Sequence, residues 1–136
     1  MNRLGRNYAL ALFVMLVGVA TPASATATLE CVGVEDPEVH VTLTLGSVPV
    51  LAIVNATIDT PAGSYAMVPQ AAGQTEVVVG QGMSTSEGMS VDFADPNLLE
   101  ILVTLRTMQA YRDRQAAHVG LLIVEDRDVY AVTCES

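Results

Sequence analysis

The chain has 136 residues, 51% of them hydrophobic, with fifteen acidic and six basic side chains, no tryptophan and a net charge of −9. All six basic residues are arginine, and Arg3 and Arg6 stand at the very start, so the rest carries four arginines against fifteen carboxylates, a net of −11. That balance excludes nucleic acid, whose phosphates would be repelled, and it argues against an anionic membrane surface. It favours a cationic protein as partner, or serves solubility alone.

The first residues read as an export leader. Arg3 and Arg6 give a positive start, Tyr8 to Ala20 an apolar run, and Thr21-Pro22 break it before Ala23-Ser24-Ala25, an A-x-A cleavage site. A second A-x-A lies at Ala25-Thr26-Ala27. The apolar run is shorter than the roughly 20 residues that span a bilayer, so a signal peptide over 1–25 is expected rather than a retained anchor. The arginines are not adjacent, as the twin-arginine route requires. Thr28-Leu29-Glu30 before Cys31 does not fit a lipoprotein site. The expected location is periplasmic or secreted, with residues 26–136 as one β domain.

Only two cysteines are present, Cys31 and Cys134, near the two ends of that domain. In an oxidising compartment they allow one intramolecular bridge. Closing a loop of about 100 residues stabilises by about 4.7 kcal/mol in the loop-entropy model. No C-x-x-C spacing accompanies them, so the bridge reads as structural.

The rest of the chain reads as strand after strand. Val39, Val41, Leu43 and Leu45 alternate with His40, Thr42 and Thr44, the period of a half-buried strand. Pro49 to Ile58 is apolar on both faces and predicts a more deeply buried strand, paired with the first as a hairpin. Asp59 to Gly63 is a turn cluster, followed by a short strand over Ser64 to Val68. Thr75 to Val79 is rich in β-branched residues and predicts another strand. Gly80 to Gly88 has three glycines and no pattern, and predicts the longest flexible loop. Met89, Val91 and Phe93 alternate with Ser90 and Asp92 until Asp95-Pro96-Asn97 stops the strand.

Residues 98–111 admit two readings. Asn97 with Glu100 has capping-box spacing, and Leu98, Ile101, Leu102, Leu105 and Met108 would share one helical face, a short helix near 97–111. As a strand, Leu99, Ile101, Val103 and Leu105 would point inward and Thr104 and Arg106 outward. The β-branched content and the surrounding strands favour strand. After a turn at Arg112 to Ala116, Val119 to Val124 and Val129 to Thr133 form a hairpin around 125–128. Eight or nine short strands suggest an all-β fold, a small antiparallel barrel or sandwich. A Cys31–Cys134 bridge would set its first and last strands side by side and remove exposed edges.

No constellation for chemistry stands out. His40 and His118 are the histidines, and no serine lies in a G-x-S-x-G elbow, although a triad assembles in space rather than in sequence. Met67, Met83, Met89 and Met108 with the histidines match no dense copper motif, and Met89 and Met108 fall on apolar faces where methionine fills gaps. The carboxylate turns Asp92 to Asn97 and Asp126 to Asp128 lack the twelve-residue calcium pattern. Gly80-Gln81-Gly82 has no lysine after it and is no phosphate loop. Asn55-Ala56-Thr57 is a sequon within a strand, without meaning behind a bacterial-type leader. The expectation is therefore no catalytic residue, no metal and no cofactor. The likeliest contact regions are the segments at Gly80 to Gly88 and Thr60 to Ser64, since β scaffolds place function on loops.

A small exported β-barrel with a cysteine near each end and an acidic balance resembles the periplasmic inhibitors of C-type lysozyme. The resemblance implies a basic enzyme as partner, steered by charge. It covers the layout alone. The family's Ser-Gly-x-x-Tyr loop has its nearest match in Ala62-Gly63-Ser64-Tyr65, one residue short, and its Lys-Gly loop has none, since lysine is absent. The expected function is a non-catalytic binding or structural protein of the cell envelope, with lysozyme inhibition as the alternative and a small hydrolase using His40 or His118 as a third reading.

Overall fold

The computed structural model describes residues 26–136; the leader expected over 1–25 lies outside the described residues. Ten strands follow one another in chain order: β1 (Ala27–Gly33), β2 (His40–Leu45), β3 (Ile53–Thr60), β4 (Gly63–Ala66), β5 (Gln74–Glu76), β6 (Val78–Thr85), β7 (Gly88–Ala94), β8 (Ile101–Arg112), β9 (Gln115–Val124) and β10 (Asp128–Glu135). They form one nearly closed, barrel-like sheet in the order β5-β4-β3-β2-β1-β10-β9-β8-β7-β6. The class is all-β as expected, with ten strands in place of eight or nine.

The order divides into two meanders. β1 to β5 make one half, β10 back to β6 the other, and two seams join them. At the first, β1 runs antiparallel to β10, and Cys31 lies directly opposite Cys134 in the register. The two form a disulfide with Cα atoms 4.0 Å apart, closing a separation of 103 residues. Both cysteines are buried among the core residues. At the second seam one extended segment changes partner. β5 lies parallel to β4, the Val77 N–H donates to the Ala66 carbonyl (3.0 Å), and from Val78 the chain pairs with β7 instead. Val77 is fully buried at this switch. The β-branched run Thr75 to Val79, expected as one strand, therefore straddles both halves.

The interior follows the period-two pattern. Val41, Leu43, Ala56, Ile58, Val91, Phe93, Val103, Leu105, Leu122, Val124 and Val132 are buried and pack into one cluster. Burial of each valine, leucine, isoleucine or phenylalanine among them stabilises by about 1.5–3 kcal/mol. Tyr65 adds a polar tie between the halves: its phenol on β4 donates to Glu125 Oε1 in the β9–β10 turn (3.2 Å).

The strand favoured for residues 98–111 is present as β8, while three expectations and the alternative helix are corrected. Gly80 to Gly88 is strand β6 and a tight turn, because an edge strand tolerates glycine where a central one would not. The run from Pro49 does not form a strand until Ile53, and Val50 and Val54 are exposed. Residues 97–111 form no helix; Asn97 and Glu100 do not cap each other, and Asp95 instead accepts hydrogen bonds from the N–H groups of Asn97, Leu99 and Glu100 (2.7–3.0 Å). In β8, Val103 and Leu105 point inward, whereas Leu99 sits in that loop and, with Ile101, is exposed.

Replacing both cysteines with serine is expected to lower the unfolding free energy by about 2–4 kcal/mol while the far-ultraviolet β signal persists, since the ladders do not need the bridge. Unchanged stability in denaturant titrations would remove the disulfide from the account of closure.

Candidate functional site

The most prominent projection is the hairpin of β8 and β9, twelve and ten residues long. Its inward column begins in the core with Val103–Val124 and Leu105–Leu122, then runs on through Thr107–Gly120, Gln109–His118 and Tyr111–Ala116. At Thr107 the neighbouring strands close tightly on β8. A Cβ at Gly88 would lie 2.0 Å from the Thr107 carbonyl oxygen, and one at Gly120 would lie 2.4 Å from that of Arg106. Glycine on both flanks is what permits that approach.

Beyond this point the hairpin leaves the barrel as an arm. From Ala110 to Ala117 every residue is exposed. Its base is tied to the β6–β7 turn by Gln109, whose N–H donates to the Glu87 carbonyl (2.8 Å) and whose amide donates to that of Ser86 (3.1 Å). Its tip is a two-residue turn. Arg112 pairs with Gln115, and both central residues, Asp113 (φ 48°) and Arg114 (φ 74°), are left-handed. That is type I′ geometry, for which glycine is the favoured second residue. Holding a non-glycine residue there costs on the order of 1 kcal/mol. Tyr111, Arg112 and Arg114 thus gather half of the four arginines of 26–136, with an aromatic ring, at one exposed point. Tyrosine and arginine are the residue types enriched at binding hot spots.

The outer face of the same strands is apolar. Met108, Val119, Leu121 and Ala131 are exposed neighbours across β8, β9 and β10, and Val34 lies beside them, its N–H on the Ala131 carbonyl (2.9 Å). Together they border a shallow groove of about 500 Å³. On β1 and β10, Glu30 stands opposite Glu135 at the outer surface, two carboxylates with no cation between them in the register. Arg106 turns instead to Asp92 (2.8 Å), which also accepts from the Thr104 hydroxyl (2.9 Å). Asp92 is the one buried charged residue among those described.

The residues singled out from sequence are scattered. His40 is exposed on β2, whereas His118 is half-buried in the inward column of β9, three ladders away. His118 Nε2 is buried without a hydrogen-bond partner among the described residues, and desolvation pulls its pKa below the ordinary histidine value. Met83, Met89 and Met108 border one groove over β6–β8, but Met89 belongs to the core and Arg106 shares the groove. Asp92 and Asp95 are engaged with Arg106, Thr104 and backbone N–H groups, and the amides of Glu100, Leu99 and Asn97 hold the Asp95 carboxyl below the usual range. Among the described residues no group of three or more His, Cys, Asp or Glu is placed to hold a metal ion. The Thr60 to Ser64 segment is a short turn closed by Thr60 Oγ1 and Gly63, and Tyr65 after it points into the core. Of the two contact regions expected, Gly80 to Gly88 is an exposed edge strand and turn and Thr60 to Ser64 a short turn; the arm was not expected, since the strand after the turn at Arg112 to Ala116 was placed from Val119 and begins at Gln115.

No helix among the described residues is long and apolar enough to cross a membrane. No protein-family model matches the chain, and neither a curated protein nor a solved structure is found similar to it.

The Tyr65 phenol, desolvated and beside Glu125, has its pKa pushed up from 10.0 to about 12. The fold favours the neutral phenol, so this contribution is complete below about pH 10 and is lost as pH rises through about 12. An ultraviolet titration of native protein should show one late ionisation that Tyr65→Phe removes; a wild-type profile complete near pH 10 would contradict the burial.

Proposed function

We propose that this is an exported, non-catalytic binding protein of the cell envelope whose acidic body attracts a cationic protein and whose β8–β9 arm docks in an acidic recess of that partner. The observation that carries the reading is the arm tip, where Arg114 is held left-handed against its backbone preference and presented with Tyr111 and Arg112. Left-handed non-glycine residues cluster at binding and active sites, and among the described turns Glu125 and Asp126 share this geometry but lie beside the body. The export leader and the disulfide support an oxidising compartment outside the cytoplasm. The net charge of −9 supports a basic partner, drawn in by long-range attraction that salt weakens. The apolar groove at the root of the arm offers contact area to the same partner.

A second reading is inhibition of C-type lysozyme or a similar cationic enzyme that attacks the envelope. One arrangement favours it: an acidic body with two arginines on a projecting tip. A basic glycosidase presents the opposite pattern, a cationic surface around a cleft with two carboxyl groups. With Tyr65 buried, the arm rather than the Gly63–Tyr65 turn is the element that fits such a cleft.

Arg114→Gly separates binding from folding. It is expected to raise stability by about 0.5–1 kcal/mol, because glycine adopts the left-handed turn freely. The same change, with Tyr111→Ala, should weaken binding to a basic envelope-attacking enzyme about tenfold or more in surface-plasmon measurements. Arm variants that bind as wild type would refute the role of the arm. In a turbidity assay of bacterial cell walls, a micromolar excess of wild-type protein should slow C-type lysozyme; full enzyme activity under that excess would sink the second reading.

A further inference from the structure

The sheet has two free edges, and they are built differently. β5 is three residues long and ends on Glu76, which are ordinary protections against strand pairing. β6 is eight residues long and hydrogen-bonds only to β7 among the described residues. From Gly80 to Glu87 every residue is exposed. From Val77 to Ser86 there is no charged side chain and no proline, in a chain with fifteen carboxylates. Gly80, Gly82, Ser84 and Thr85 leave little side-chain bulk along this edge. The inner side is covered by Leu51, whose Cδ2 would stand 3.2 Å from a Cβ on Gly82. The edge is therefore open to another backbone, while the core behind it is closed.

We infer that β6 pairs edge to edge, antiparallel, with β6 of a second copy of this chain. An antiparallel two-fold pair makes the same strand both donor and acceptor, so one segment serves as both halves of the interface. The choice of a second copy follows from charge. A cationic peptide would find no carboxylate on the strand between Val77 and Ser86, whereas two copies of Val78 to Thr85 meet without opposing like charges, Glu76 and Glu87 lying beyond the ends of the strand. The remaining cost is the mutual repulsion of two acidic bodies, and mobile ions screen it. This dimer must therefore tighten as salt is raised, opposite to the response of the arm's cationic partner. The inference is independent of the arm.

The test is sedimentation equilibrium of the oxidised wild-type protein over a wide concentration range at low and high sodium chloride. The expected result is a monomer–dimer equilibrium whose dissociation constant falls several-fold with salt. Met83 is exposed on β6, so Met83→Glu should leave the circular dichroism and thermal unfolding of the monomer unchanged. It should also yield monomer throughout, whereas Met83→Gln should dimerise as wild type. Amide exchange of residues 80–85 should slow on dimerisation. Wild-type protein that stays monomeric at every concentration and salt overturns the inference. So does a dimer that persists in Met83→Glu, or one that dissociates as salt rises.

Discussion

Closure of the sheet between its first and last strands is the constraint on which the other features depend. β1 and β10 share a ladder of only four register pairs, and one of these sets Glu30 against Glu135. A short ladder with opposed carboxylates is a weak seam. The Cys31–Cys134 bridge lies next to that pair and fixes the register, since its cysteines must stand opposite each other. Without that seam, β1 to β5 and β10 to β6 would be two half-sheets joined through the switch at Val77 and a few side-chain ties such as Tyr65 to Glu125.

Given the closed body, the arm is a matter of strand length. β8 and β9 are longer than the barrel needs, so their far ends have no core to cover. The inward column shows the change in kind, from valine and leucine to threonine, glutamine and tyrosine. Gly88 and Gly120 mark where the body ends, because β8 is gripped there too closely for any side chain on either flank. A rigid root with an exposed tip presents side chains at low entropic cost, which suits the binding role proposed for it.

Much of this was legible in the residues. The alternation over 39–45 and 89–93, the terminal cysteines and the turn at 125–128 each appear where local pattern places them. Features governed by tertiary context did not. Gly80 to Gly88 has the composition of a loop, yet pairing with β7 makes it a strand. Residues 98–111 carry a plausible cap at Asn97 and Glu100, but Asp95 reaches those backbone amides first. The apolar run Val119 to Val124 carries no sign that Val119 and Leu121 are exposed, because periodicity cannot tell which face of a two-sided strand meets water. The turn at Arg112 to Ala116 was expected and stands at Asp113 and Arg114, but the pairing that carries β9 back to Gln115 was not, because residues 110–117 lack the apolar alternation by which a strand is recognised.

The strand order also imposes a sequence in time. Apart from the parallel β4–β5 pair, each half is a run of neighbouring hairpins, so most ladders can form as soon as their two strands exist. The exception is β1, whose second neighbour is the last strand of all. As the chain emerges from its beginning, one side of β1 waits unpaired until β10 appears, and Cys31 waits 103 residues for its partner. With no third thiol, no wrong bridge can form within the molecule. The hazard in that interval is another chain, through the open side of β1 or the waiting sulfur. Completing β10 ends both exposures in one step, so the sheet becomes covalently locked only once the last of its ten described strands has been made.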